Sequence, residues 1–163
     1  MKKILILSTG GTFNKHYSTK SGGIAIDTEA STLKELAVKW KTDLEISTII
    51  GKDSLDMDDA DRMLLLETIR QSAYEDIIVI HGTDTMDLSA QVIEDAKVPK
   101  RIIFTGAMIP YRVDKVEATA NVAMAYGYLQ AEVDNGTYIS MNGVLGRFDA
   151  VIKNRQAKKF ELV

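Results

Sequence analysis

The chain has 163 residues, 45% of them hydrophobic, and a formal net charge of −3, which predicts a single domain and argues against nucleic acid as a main partner. It lacks cysteine, which excludes disulfides and thiolate chemistry and is consistent with a cytoplasmic protein, and its two histidines cannot form a multi-histidine metal site. No apolar run approaches the roughly 18–20 residues of a membrane helix, so no membrane partner is expected.

Strands and helices are predicted to alternate along the chain. Short, β-branched apolar runs predict strands over residues 3–8, 44–49, 77–81, 101–105 and 137–141. Helical spacing predicts helices over about 32–40, 58–73, 84–95 and 115–131. The first of these helices has capping-box spacing at Thr32 and Glu35. Strands that are apolar on both faces are typical of a parallel sheet, so we expect an α/β, flavodoxin-like, doubly wound sheet with helices on both faces.

Two segments depart from this alternation. Residues 14–30 are polar and rich in glycine and serine, and a loop of that length inside a compact domain is often a functional flap. After residue 141 the turn residues Asn142, Gly143 and Gly146 separate short apolar stretches. We therefore predict one or two hairpin-like strands at the C-terminal end of the sheet.

Small and hydroxyl-bearing residues follow the first four predicted strands, in the segments STGGT, GKDSLDM, HGTDTM and TGAMIPY. The carboxyl ends of parallel strands meet at one edge of a sheet, so we expect these segments to converge there. They contain neither a Walker A loop nor a dinucleotide fingerprint. A threonine hydroxyl needs a neighbouring base to act as a nucleophile, and a lysine can serve. Thr12, Thr83 and Asp84 are therefore candidates for one pocket.

The residues that carry this pattern resemble a known family. TGGTF at 9–13 and HGTDTM at 81–86 resemble the two signature motifs of the L-asparaginase family, which hydrolyses asparagine to aspartate and ammonia. DSLDM at 53–57, TGAMIP at 105–110 and NRQAKK at 154–159 resemble further family segments in the same order. The usual family member carries a second, smaller domain, so the resemblance implies that residues 1–163 form a single domain of the N-terminal type.

The resemblance also implies catalytic roles. Thr12 matches the nucleophile, and Thr83, Asp84 and Lys158 match a Thr-Asp-Lys triad, with Lys153 and Lys159 as alternative lysines. Tyr17 is the nearest candidate for the family's loop tyrosine, at a shorter spacing than usual.

For the substrate, the resemblance implies that Ser54 binds the α-carboxylate and that Asp84 binds the α-ammonium group. The other predicted binding residues are Gly11, Asp53, Gly82, Thr83 and Ala107. The expected substrate is L-asparagine, with L-glutamine as a poorer one, and no metal or cofactor is implied.

Several alternatives stay open. Thr12 can be a turn hydroxyl, Asp84 a helix cap, and the basic cluster around Lys158 a solvated face. His81 is better explained as a packed strand-end histidine than as an acid or base. In place of asparagine hydrolysis, the chain can be an amino-acid sensor without turnover or an amidase for a related small amide. The predicted helix at 115–131, rich in alanine, methionine and tyrosine, suggests a homo-oligomer.

Overall fold

A computed structural model describes residues 1–42 and 44–163. The strands are β1 (Ile4–Gly10), β2 (Lys15–Ser18), β3 (Gly23–Ile26), β4 (Glu45–Lys52), β5 (Asp76–Ile80), β6 (Arg101–Thr105), β7 (Gly136–Met141), β8 (Val144–Arg147), β9 (Val151–Asn154) and β10 (Lys159–Leu162). The helices are α1 (Ser31–Trp40), α2 (Asp59–Gln71), α3 (Met86–Asp95) and α4 (Lys115–Gln130). Short 3-10 turns cover Thr12–Asn14 and Ser54–Asp56.

The main sheet has six strands in the order β4-β1-β5-β6-β7-β8. The first five of these strands run parallel, and β8 is antiparallel to β7. The predicted flavodoxin-like, mostly parallel α/β fold is therefore confirmed. The strand β4 lies on one side of β1, and the next strand in the sheet, β5, lies on the other side. The strand order therefore reverses between β1 and β5. Ligands of open α/β sheets bind outside the carboxyl ends of the strands at such a point.

Helices cover both faces of the sheet. Ile4 and Ile6 of β1 belong to the apolar cluster that includes buried residues of α1 and α4. Leu5 and Leu7, which alternate with them, belong to the cluster that includes buried residues of α2 and α3. Successive strand residues point to opposite faces, so an uninterrupted apolar run fills both cores. The sheet is thereby fixed between two layers, and its carboxyl edge is a rigid base for the loops.

The polar segment between the first strand and the first helix is ordered. β2 and β3 pair as an antiparallel hairpin, with Tyr17 opposite Ile24. The predicted capping box at the start of α1 is wrong. Ala30, in a left-handed backbone conformation, precedes the helix without a side-chain cap, and Glu35 instead accepts hydrogen bonds from Arg112 and Lys115.

The C-terminal residues form the predicted hairpin. β9 and β10 pair antiparallel as a separate two-stranded sheet, with Asn154 opposite Lys159. Residues 155–158 are therefore the turn that joins the two strands. This register decides which of the C-terminal basic residues belong to a strand and which lie at the turn.

Candidate active site

The loops that follow β1 and β5 touch through their backbones. Gly11 has a left-handed φ of 72°, and a Cβ atom built on it would lie 2.5 Å from the Gly82 nitrogen and 2.6 Å from the Gly82 Cα. Only glycine combines that backbone conformation with so close an approach. Thr12 follows Gly11 and Thr83 follows Gly82, so both predicted hydroxyl residues are attached directly to the two backbones in contact.

Ser54 joins this contact from the loop after β4. A Cβ atom on Gly82 would lie 2.6 Å from both Cβ and Oγ of Ser54. Ser54 Oγ accepts a hydrogen bond from the Asp84 backbone N–H at 3.2 Å, and the Thr85 hydroxyl donates to the Ser54 carbonyl oxygen at 2.8 Å. Ser54 Oγ thus accepts from the Asp84 amide, and among residues 1–42 and 44–163 its own hydroxyl donates no hydrogen bond.

A lysine side chain bridges Thr83 and Asp84. Lys153 Nζ donates to Thr83 Oγ1 at 2.8 Å and to Asp84 Oδ1 at 2.7 Å, and the Lys153 side chain is only 14% exposed. A hydroxyl, a carboxylate and an amine therefore meet at this point, at distances that allow proton exchange.

The lysine at this contact is Lys153, and the placement of Lys158 there is wrong. Lys158 is exposed and has a left-handed φ of 52°, because the pairing of Asn154 with Lys159 puts it in the turn between β9 and β10. Lys153 precedes that turn on β9. Lys159, the other alternative, forms an ion pair with Glu161.

Arg155 is a further cation at the site, and no motif in the sequence pointed to a role for it. Its Nη1 donates to Asp84 Oδ1 and its Nη2 to the Asp84 carbonyl oxygen, both at 2.8 Å. The hydrogen bond from Lys153 lowers the pKa of the Asp84 carboxyl; burial opposes this effect, and the hydrogen bond from Arg155 adds to it. Asp84 is therefore an ionised partner of two cations, and α3 begins at Met86 without a side-chain cap.

Asp53, which was predicted to bind substrate, forms an ion pair with Lys15. Lys15 Nζ donates to Asp53 Oδ2 at 2.5 Å, which ties the first residue of β2 to the loop that carries Ser54. Tyr17 lies further along β2 and is 64% exposed. In the described part of the chain its hydroxyl makes no hydrogen bond, so the structure does not connect Tyr17 to the other predicted residues.

Ala107 lies in a loop held against the end of β5. A Cβ atom on Gly106 would lie 2.3 Å from the His81 carbonyl oxygen, so the two backbones are in contact. Glu117 accepts hydrogen bonds from the N–H groups of Met108 at 2.9 Å and Ile109 at 3.0 Å. The buried Ala107 is therefore fixed beside the segment that leads to Gly82 and Thr83.

His81 is fully buried at the end of β5, consistent with a packed histidine. Its Nδ1 lies 2.7 Å from the Gly82 carbonyl oxygen and its Nε2 lies 2.8 Å from Ser89 Oγ. Because a carbonyl oxygen only accepts, Nδ1 carries the hydrogen and Nε2 accepts from the serine. Burial lowers the pKa of His81 from 6.5 to about 4, so the ring is neutral at neutral pH.

The chain also matches known proteins in sequence and in fold. The family model "Asparaginase, N-terminal" matches residues 3–161. The chain belongs to the asparaginase family. This assignment agrees with the motifs TGGTF and HGTDTM, which form the loops that meet at Gly11 and Gly82.

Two solved asparaginases share the fold. The probable cytoplasmic L-asparaginase from Campylobacter jejuni has a TM-score of 0.82 and 24% identity, with 99% of this chain and 53% of that chain covered. The thermostable L-asparaginase from Thermococcus kodakarensis has a TM-score of 0.86 and 22% identity, with 99% and 51% covered. The chain thus spans about half the length of these asparaginases.

Curated relatives with a different name also match. One of the subunits of the glutamyl-tRNA(Gln) amidotransferase of Methanococcus maripaludis strain C7 is 29% identical over 157 residues, with 90% of this chain and 36% of the relative covered. The protein of the same name from Methanococcus vannielii is 29% identical over 154 residues, with 88% and 35% covered. The chain therefore spans about a third of these relatives.

A cavity of about 380 Å³ adjoins the Lys153 contact. Its polar lining includes Thr83, Asp84, Asp87, Asp149, Lys153 and Arg155, and its apolar lining includes Leu88, Phe148, Ile152 and Phe160. Its volume is in the range of small-molecule sites.

Across residues 1–42 and 44–163, no three histidine or acidic side chains are grouped as a metal site would require. No helix in this part of the chain has the length and apolar character to cross a membrane.

Proposed function

We propose that this asparaginase-family chain hydrolyses the side-chain amide of L-asparagine to L-aspartate and ammonia. The observation that carries the proposal is the contact of Lys153 with Thr83 and Asp84, next to the glycine contact from which Thr12 departs. A nucleophile, a second hydroxyl, a carboxylate and an amine are then available around one small amide. A packed core or a solvated face does not require that combination.

In the proposed reaction, Thr12 Oγ attacks the amide carbon of the substrate. The new C–O bond forms, the C–N bond breaks, and the proton of the Thr12 hydroxyl leaves with the nitrogen as ammonia. Water then attacks the resulting ester and releases aspartate and free Thr12. Thr83 and Lys153, hydrogen-bonded at 2.8 Å, pass protons to and from the attacking group, and Asp84 holds the amine in place.

Two groups are suited to the charged ends of the amino acid. The Ser54 hydroxyl is free to donate to the α-carboxylate. Lys153 and Arg155 both bind Oδ1 of Asp84, and among the described residues nothing hydrogen-bonds to Oδ2. That oxygen is therefore left to accept from the α-ammonium group of the substrate.

L-Glutamine is the second candidate substrate, because the curated relatives are named as subunits of a glutamyl-tRNA(Gln) amidotransferase. Glutamine differs from asparagine by one methylene. In an apolar pocket such a difference is worth only about 1–3 kcal/mol of discrimination. Both amides therefore belong in the same assay.

The test is ammonia release by the purified 163-residue chain with L-asparagine and L-glutamine side by side. We expect turnover of asparagine, and we expect Thr12→Ala to lower kcat at least about 100-fold because it removes the attacking oxygen. Thr19→Ala, at the exposed turn of the β2–β3 hairpin, is the matched control and should keep the wild-type rate. Binding of asparagine measured by calorimetry, without ammonia from any sample, would instead identify a sensor. Ammonia from another small amide alone would identify a related amidase.

We also propose that the chain acts in the cytoplasm as a homo-oligomer. One solved neighbour is named a probable cytoplasmic L-asparaginase. The outer face of α4 carries Val116, Ala120, Ala123 and Gly127, all exposed and without charge. A helix that is apolar on its outer face as well usually packs against another chain or domain. Light scattering at micromolar concentration tests this, and a monomer alone would contradict it.

A further inference from the structure

Arg155 binds two different atoms of one residue. Nη1 reaches the Asp84 carboxylate and Nη2 reaches the Asp84 main-chain carbonyl, each at 2.8 Å. A guanidinium group is planar and holds its donors in a fixed fork, so these two hydrogen bonds together fix the side-chain torsion of Asp84 relative to its own backbone. A lysine at this position has a single nitrogen and cannot reproduce the same fork.

The orientation that results is specific. Arg155 Nη1 and Lys153 Nζ converge on Oδ1, at 2.8 Å and 2.7 Å. The Asp84 main chain is also held at its N–H, which donates to Ser54 Oγ at 3.2 Å. Oδ1 is therefore the oxygen that both cations bind, and among the described residues Oδ2 accepts no hydrogen bond.

We propose that Arg155 is a positioning residue that holds Asp84 in the one orientation in which Oδ1 engages Lys153 and Oδ2 is presented to the ammonium group of the substrate. This inference rests on the proposed hydrolysis of an amino-acid amide. Arg155 itself remains 64% exposed in its side chain and acts on the reaction through Asp84. It lies in the turn between β9 and β10, so a short C-terminal hairpin provides both the amine of the site and the residue that orients its carboxylate.

The charged groups around Asp84 determine what the loss of Arg155 does. Lys153 comes from β9, Asp87 from α3 and Asp149 from the turn before β9, and all of them line the same cavity as Asp84. Without Arg155 one cation remains beside three carboxylates. The Asp84 carboxylate is then less stabilised in its ionised form, and its torsion is held only by Lys153.

The experiment compares Arg155→Met and Arg155→Lys with the wild type by the pH dependence of kcat and KM for ammonia release from L-asparagine. We expect Arg155→Met to lower kcat/KM about 10- to 100-fold, mainly through KM, because a misdirected Oδ2 no longer meets the ammonium group. The acid limb of the profile should move to higher pH. Arg155→Lys, which keeps the charge but loses the fork, should restore the acid limb and leave KM raised.

Arg70→Met is the matched control, because Arg70 pairs with Glu67 on the surface of α2 and should not affect either quantity. Unchanged KM and an unchanged acid limb in Arg155→Met would overturn the proposal. If Arg155→Met fails to fold, the raised KM of Arg155→Lys carries the test, and a wild-type KM there would overturn it.

A readout without turnover separates this proposal from the proposed function. In a carboxyl-carbon NMR titration, the Asp84 resonance should titrate at higher pH in Arg155→Met than in the wild type. If the wild type releases no ammonia, the proposed hydrolysis fails, while the titration still decides whether Arg155 controls the Asp84 carboxylate. A titration curve that is identical in both proteins would reject that control.

Discussion

The two halves of the candidate site are held together by different forces. In the first half, Gly11, Gly82 and Ser54 meet through close packing, and a single added methyl group on Gly82 would lie 2.6 Å from two Ser54 atoms. In the second half, Lys153 and Arg155 reach Asp84 with long side chains from a separate hairpin. We call these the packed half and the ion-paired half.

The difference predicts that substitutions in the two halves have different main effects, on stability in one and on activity in the other. Close-packed backbone has no room to adjust, so changes in the packed half should alter the free energy of unfolding first. Long charged side chains at a partly exposed site contribute little to stability, so changes in the ion-paired half should alter activity first. Two substitutions in the packed half, at His81 and at Gly82, test this separation.

A large effect on stability is expected from His81, which supports the packed half by donating to the Gly82 carbonyl. Its pKa is lowered to about 4 in the folded state, whereas an unfolded histidine has a pKa of 6.5. The unfolded state therefore binds the proton first as the pH falls. The contribution of His81 is fully present above pH 6.5 and is lost progressively toward pH 4. Between pH 7 and pH 5 this term should lower the free energy of unfolding by about 2 kcal/mol.

Urea unfolding at the two pH values measures this loss. His81→Asn removes the titrating ring. The loss of unfolding free energy between pH 7 and pH 5 should therefore be about 2 kcal/mol smaller in this variant than in the wild type, however stable the variant is at pH 7. His16→Asn is the matched control at the other histidine of the chain and should keep the His81 contribution. A loss of equal size in wild type and His81→Asn would show that His81 is not held neutral by burial.

An effect on stability of similar size is expected from Gly82→Ala. The new methyl group would collide with Ser54, including its backbone nitrogen at 2.9 Å, which cannot rotate away. Overpacking of this kind costs about 1–3 kcal/mol. The displacement of the Ser54 loop should also raise KM for asparagine. Urea unfolding and the ammonia assay measure the two effects.

Gly127→Ala is the matched control. An added Cβ there meets no atom within 4 Å, and the residue lies within α4. Alanine is favoured over glycine inside a helix by up to about 1 kcal/mol, so this variant should be slightly more stable than the wild type. If Gly82→Ala is as stable and as active as Gly127→Ala, the packed half is not closely packed.

Much of the packed half was predictable from the sequence. Apolar runs marked the strands, and glycines followed by hydroxyl residues marked the loops at their carboxyl ends. Only glycine allows the backbones at Gly11 and Gly82 to approach so closely. The glycines in these two motifs therefore indicate a close contact between the two loops. The order of the strands then places both loops at the point where the strand order reverses.

The ion-paired half was predictable only in part. The sequence indicated that a lysine should lie near Thr83 and Asp84. It did not indicate which lysine, because a lysine side chain can reach that position from several places on a hairpin. The choice of Lys153 depends on the register of β9 and β10, and strands of only four residues specify their register weakly. The role of Arg155 depends on the same register. The β2–β3 hairpin was also missed, because each of its strands has only four residues and β2 is mostly polar.

The most direct test of the account is the ammonia assay on a matched pair of lysine variants, Lys153→Met and Lys158→Met. Lys153 contacts Thr83 and Asp84, whereas Lys158 is exposed in the adjoining turn. We predict that Lys153→Met lowers kcat for L-asparagine about 10²- to 10⁴-fold, as loss of a proton-transferring group does, while Lys158→Met keeps the wild-type rate. Wild-type activity in Lys153→Met, or the loss of activity in Lys158→Met instead, would contradict it.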